Sequence, residues 1–216
     1  ANLSIAEMER VASEALPEYA ALISRFGSPQ IKNAATLGGN IANASPIGDT
    51  MPALFVLNAQ VELSGVNGAR RVNINDFYTG YKQTVATADE LISRVRIPRL
   101  GRGEVLKLFK VSKRQELDIS TLSAAIWLKL SGRLIEDVRI AYGGVAPRIV
   151  RLPRTEAHLK GRNISAETFD SAGEVALSEI SPISDVRGSA QYRNRLAANI
   201  LRKLYHQLNA EQAQAS

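Results

Sequence analysis

The segment Ala35-Thr36-Leu37-Gly38-Gly39-Asn40-Ile41, followed by Ala44-Ser45-Pro46-Ile47-Gly48-Asp49, constrains this chain more than any other part of it. Adjacent glycines let a backbone turn sharply and approach a ligand where a side chain would clash. Thr36, Asn40 and Ser45 flank the pair with short hydrogen-bonding groups, and Asp49 closes a second turn. Main-chain N–H groups in such turns wrap a phosphate or pyrophosphate without needing a lysine. No Walker-type lysine follows the glycines and no Gly-x-Gly-x-x-Gly occurs, so neither a P-loop nor a Rossmann site is expected.

Around this segment the elements alternate in type. Ser4 with Glu7 has capping-box spacing, and Ile5, Met8, Val11, Ala12 and Ala15 recur at helical intervals, so a helix runs from Ser4 until Leu16-Pro17 breaks it. A second short helix covers Tyr19 to Ile23, and Gln30 to Asn33 leads into the glycines. Asp49 to Leu57 reads as a helix with Pro52 in its first turn. Ala59 to Leu63 and Arg70 to Ile74 form a hairpin, and Glu90 to Ile97 is a further strand. Pro98 to Gly103 marks a boundary. Beyond it come strands at Val105–Val111, Ser123–Ser131 and Leu134–Tyr142, and then helices at Thr155–Leu159, Ala166–Glu179 and from Ser189 onward. In the last helix Tyr192, Leu196, Ile200, Leu204 and Leu208 mark the apolar stripe, with Arg193 and Arg195 on the solvent side. Strands followed by helices give an α+β class, with helices packed on an antiparallel three-stranded sheet. The domains expected are 1–100 and 101–216.

Composition narrows the chemistry. The 216 residues contain no cysteine, which excludes disulfides, cysteine nucleophiles and cysteine-held metal clusters within this chain. The two histidines, His158 and His206, lack a second ligand at metal spacing, and Glu136 and Asp137 point to opposite faces of a strand. No metal site and no catalytic residue is therefore assigned. The net charge of +6 is spread along the sequence, and aromatic residues are too sparse for a stacking platform, so a solvated face or an acidic partner is expected rather than nucleic acid. There is no membrane-length apolar run and no signal-peptide pattern, which fits a cytoplasmic setting.

Taken in order, Phe26-Gly27-Ser28-Pro29-Gln30-Ile31-Lys32-Asn33-Ala34-Ala35-Thr36-Leu37-Gly38-Gly39-Asn40 and Ala44 to Asp49 resemble the FAD-binding domain of the molybdenum hydroxylases. The resemblance continues through Phe77 to Tyr81, Leu91 to Pro98, Phe109-Lys110, Tyr142 to Arg148 and Ser184 to Arg193, covering essentially the whole chain. Within the family the pattern looks most like the FAD subunit of xanthine dehydrogenase. The resemblance implies the second half of a two-subdomain FAD-binding fold, followed by the C-terminal domain of the carbon monoxide dehydrogenase flavoproteins.

It also implies roles for individual residues. Thr36, Leu37, Gly38, Gly39 and Asn40 would wrap the FAD pyrophosphate, and Phe26 would be an aromatic of the site. Ser45 and Asp49 would form the second turn, with Asp49 accepting from a ribose or adenine group. Ile92 would lie beside the rings, and Lys110 near the isoalloxazine, where its charge favours reduced, anionic flavin. Lys113–Asp118 would border the flavin and influence access of NAD, although Leu117 departs from the acidic residue of the mammalian enzymes. Electrons would pass from iron–sulfur clusters through FAD to NAD, while purine hydroxylation occurs on a molybdopterin-containing subunit; neither metal cofactor is held by this chain. The partners implied are an N-terminal flavin and iron–sulfur segment and the molybdenum-binding subunit, in a hetero-oligomer. The first flavin subdomain would lie upstream, so this chain is expected to carry half of the site. Two other readings stay open: the flavin subunit of a carbon monoxide, aldehyde or aromatic-acid dehydrogenase, and a flavin-free docking domain.

Overall fold

The computed structural model of the chain describes residues 1–114 and 117–215. Helix α1 (Ile5–Ala15) begins at the expected capping box: the Ser4 N–H donates to Glu7 Oε2 at 2.8 Å and the Glu7 N–H returns to Ser4 Oγ at 3.2 Å. Pro17 opens α2 (Pro17–Ser24), where its missing N–H costs nothing. The stretch after Ser28, expected only to lead into the glycines, is a helix of its own, α3 (Pro29–Ala34), capped by Ser28.

The glycine segment corrects the sequence reading more sharply. Instead of tight turns it forms α4 (Leu37–Ala42), with the Thr36 hydroxyl accepting the Gly39 N–H at 3.0 Å. Each glycine costs a helix about 1 kcal/mol relative to alanine. The cap and the burial of Leu37 and Ile41 in the core offset that cost. Next comes α5 (Met51–Val56), in which all six residues are buried.

Strands β1 (Gln60–Gly65) and β2 (Gly68–Asn73) form the expected hairpin. A short helix α6 (Ile74–Phe77) and the small hairpin of β3 (Tyr78–Gly80) and β4 (Gln83–Thr84) follow, and β5 (Leu91–Arg96) then pairs with the free side of β1. The second half is an antiparallel meander of β6 (Glu104–Val111), β7 (Leu122–Ser131) and β8 (Leu134–Gly143), extended by the two-residue β9 (Val150–Arg151). Helices α7 (Pro153–Leu159), α8 (Ala166–Leu177) and α9 (Ala190–Ala215) complete the chain.

Strand β7 explains why the two halves hold together. Its side chains alternate between faces: Ala125 and Trp127 join the core built by α1, α2, α4, α5 and β1, whereas Ala124, Ile126 and Leu128 join the core beneath α8 and α9. A strand covered on both faces has no polar side, which is why Leu122 to Leu128 is an almost unbroken apolar run. On α9 the buried stripe is Ala197, Ile200, Leu201, Leu204 and Leu208, rotated from the one expected. Tyr192 is therefore exposed. Arg193, expected to face solvent, is buried and held by the Ile183 carbonyl at 2.9 Å and by Asp185 at 2.8 Å.

Candidate functional site

Helix α4 and strand β5 border a cleft of about 380 Å³ whose lining includes Ala1, Thr36, Gly38, Gly39, Leu91 and Ile92. Four of the predicted site residues thus meet at one place: Thr36, Gly38, Gly39 and Ile92. The neighbouring Leu37 turns inward and is buried. Added side chains would crowd this floor: a Cβ on Gly38 would lie 2.9 Å from Ala1 Cβ, and one on Gly39 3.1 Å from Thr36 Oγ1. The amide donors themselves are engaged within the chain. Leu37 donates to the Leu3 carbonyl at 3.4 Å, Gly38 to the Ala1 carbonyl at 3.0 Å, and Gly39 to Thr36 Oγ1. The cleft therefore presents the bare backbone of Gly39, with Gly38 covered by Ala1, and not the ring of free N–H groups expected from the sequence.

Asn40 points the other way. Its Oδ1 accepts the Thr50 hydroxyl at 2.6 Å, joining α4 to the 45–50 turn, and the Tyr19 hydroxyl donates to the Thr50 carbonyl at 3.2 Å. Inside that turn Ser45 Oγ accepts the Ile47 N–H at 3.3 Å, which makes Ser45 a turn former. Ala44 enters the turn at φ +49°, a left-handed conformation costly for a residue with a Cβ.

At the end of the turn Asp49 meets Lys110 of β6. The two form a buried ion pair with side-chain exposures of 8% and 1%. The other Asp49 oxygen accepts the Ser120 hydroxyl, so this carboxylate faces lysine and serine and is absent from the lining of the glycine cleft. Lys110 Nζ also donates to the Asp118 carbonyl at 2.8 Å and to Ser120 Oγ at 3.1 Å. Asp118 is fixed in turn, its carboxylate held below the ordinary range by the Arg114 side chain and the Arg114 N–H. Gln115 and Glu116 of the predicted 113–118 loop lie outside the described residues. Phe26 is half-buried against the first core and stands apart from the glycine cleft, while its neighbour Arg25 reaches the Lys110 carbonyl at 3.3 Å.

A second cavity, of about 530 Å³, was not anticipated. Pro46, Ile47, Gly144, Ile183, Arg187 and Arg193 contribute to its wall. At its edge Gly144 docks on the 45–48 turn, its N–H donating to the Pro46 carbonyl at 2.8 Å. At φ +83°, with a notional Cβ only 2.4 Å from Ile47 Cδ1, this position admits glycine alone. Asp185 borders the same cavity. Burial would raise its pKa, but the Arg193 guanidinium and the Arg187 N–H outweigh that and hold it at about 2.

Two family models divide the chain between them. Residues 1–100 match the FAD binding domain in molybdopterin dehydrogenase, and residues 107–208 match the CO dehydrogenase flavoprotein C-terminal domain. The chain belongs to the FAD-binding flavoproteins of the molybdenum hydroxylase family.

Individual relatives agree with that membership. The nicotine 6-hydroxylase medium subunit of Paenarthrobacter nicotinovorans is 36% identical over 87% of this chain and 65% of its own length. Xanthine dehydrogenase of Blastobotrys adeninivorans is 32% identical over 95% of this chain, which spans only 16% of that enzyme. Among solved structures, reconstituted CO dehydrogenase from Oligotropha carboxidovorans superposes with a TM-score of 0.86 at 29% identity, covering 93% of this chain and 70% of that one. The chain thus spans about two thirds or less of these flavoproteins' lengths.

An FAD-binding domain should offer part of a dinucleotide a close backbone approach, and the exposed, Cβ-free backbone at Gly39 does so. The cleft lies near the lower end of the 300–1,000 Å³ range typical of small-molecule sites, roughly the size for one portion of FAD.

Proposed function

We propose that this chain forms one wall of the FAD site in a xanthine dehydrogenase-type molybdenum hydroxylase, with residues 1–100 as the second flavin subdomain and 101–216 as the C-terminal domain. One observation carries the reading: the cleft at Gly38 and Gly39 is tied to the buried Lys110–Asp49 pair through Asn40, Thr50 and the turn between them. That link joins a close-approach surface to a buried ion pair through hydrogen-bonded side chains.

The pyrophosphate side of FAD would pass close against the Gly38-Gly39 turn of α4, with the Thr36 hydroxyl donating to it, and Ile92 would cover a ring. Leu37 anchors the helix from below, while Asn40 and Ser45 keep the turn that presents Asp49. Phe26 would flank the flavin from the α2 side. Bound FAD supplies a two-electron carrier that also exchanges single electrons with metal centres. Lys110 would favour its reduced form through the charge. A second, upstream segment would supply the opposite wall and the iron–sulfur clusters, and a separate subunit the molybdopterin. NAD is the proposed acceptor. A second reading, the flavin subunit of a nicotine- or carbon monoxide-oxidising enzyme, is favoured by the 36% identity to the nicotine 6-hydroxylase subunit.

The test is reconstitution. The intact flavoprotein, stripped of flavin and mixed with FAD, should quench FAD fluorescence stoichiometrically and then reduce NAD when supplied with reductant. Absence of FAD uptake would leave the docking-domain reading standing. Uptake without NAD reduction would remove the acceptor assignment alone.

A further inference from the structure

Ser120 is completely buried, and its hydroxyl touches both members of the Lys110–Asp49 pair. It donates its one proton to Asp49 Oδ1 and accepts from Lys110 Nζ at 3.1 Å. The ammonium carries three donors and no acceptor. One goes to Asp49 Oδ2, one to the Asp118 carbonyl and one to Ser120, so none is left for a ligand. Lys110 is therefore built to act through its field and not through a hydrogen bond of its own.

In such a site the effective charge depends on how completely the partner carboxylate cancels it. Ser120 Oγ sits nearer Asp49 than Lys110, whose Nζ is 3.1 Å away, so its dominant effect is to take up part of the carboxylate's charge. More of the ammonium's positive potential then reaches the surroundings, where low dielectric preserves it. We infer that Ser120 is a positioning residue of the flavin site, setting through Asp49 how strongly Lys110 favours reduced flavin. The inference rests on the proposed placement of Lys110 beside the flavin.

A buried hydroxyl could also serve packing alone, and Ser123 offers the comparison. It is 1% exposed, its Oγ has no hydrogen-bond partner, and it lies at the start of β7, a few residues after Ser120. The experiment is a potentiometric titration of the flavin in the intact, flavin-loaded protein carrying Ser120→Ala, Ser120→Cys, Ser123→Ala or Lys110→Met. Ser120→Ala should weaken the preference for reduced over oxidised flavin about tenfold, a fall of about 30 mV for a two-electron couple. Ser120→Cys, which keeps the volume but donates weakly, should move the potential in the same direction. Ser123→Ala should stay at the wild-type value. An unchanged or raised potential in both Ser120 variants, with Lys110→Met still lowering it, overturns the role of Ser120 and leaves the site reading intact. If Lys110→Met leaves the potential unmoved as well, the placement of Lys110 beside the flavin falls, and the inference with it. Should Ser120→Ala fail to fold, the cysteine variant decides.

Discussion

The carboxylate of Asp49 and the ammonium of Lys110 are 61 residues apart in sequence, yet they form one buried ion pair. Removing one partner of such a pair leaves an uncompensated charge in the interior, at a cost of about 3–5 kcal/mol. Asp49→Asn and Lys110→Met should each destabilise the protein on that scale. The double variant should lose less than the sum of the two. A double-mutant cycle by urea denaturation checks this; simple additivity would mean that the two charges are not coupled.

Gly144 joins the two halves at the turn that presents Asp49. An alanine there meets both a left-handed backbone and the Ile47 and Thr121 atoms within 2.7 Å of its Cβ. Gly144→Ala should cost more than about 3 kcal/mol, combining backbone strain with overpacking. Gly161→Ala, at φ +77° with open space around its Cβ, should cost only about 1 kcal/mol. Equal losses in denaturant melts would show that contact with the 45–48 turn contributes nothing.

Acid stability should report on Asp185. Its folded pKa of about 2 lies below the usual carboxylate value of about 3.9, so its contribution is fully present above the unfolded value and is lost as pH falls through 2. Melts between pH 5 and pH 2 should therefore show a steeper loss in the wild type than in Asp185→Asn. Glu90 is also held at about 2, by Arg70 and the Thr87 N–H, so part of the slope should remain in the variant. Identical slopes would rule out the Arg193–Asp185 contact as a source of stability.

Much of the fold was legible because its signals are local. The Ser4–Glu7 capping box, the β1–β2 hairpin and the long strands each follow from residues within a few positions of one another. The glycine helix was not legible, since Gly38 and Gly39 argue against a helix and only the burial of Leu37 and Ile41 overrides them. Arg193 was misplaced for a similar reason: the stripe of α9 is set by the sheet beneath it, and an arginine can enter the interior where a carboxylate and a carbonyl await it. Family resemblance pointed to both Asp49 and Lys110, but not to their pairing. Nothing in the sequence singled out Thr50 or Ser120, whose roles arise only from the partners the fold brings to them.

The central claim is that FAD rests against the backbone of α4, and Gly39 tests it most directly. This residue is exposed and helical, and a Cβ there would press only on the capping Thr36 Oγ1 at 3.1 Å. Such a cap contributes about 1 kcal/mol, so a side chain there should leave the fold intact while occupying the cleft. The measurement is the flavin content of the purified, intact Gly39→Val protein, read from its visible absorbance alongside thermal unfolding. The account predicts loss of most of the flavin with a melting temperature within a few degrees of wild type. Full flavin occupancy in a folded Gly39→Val protein would contradict it.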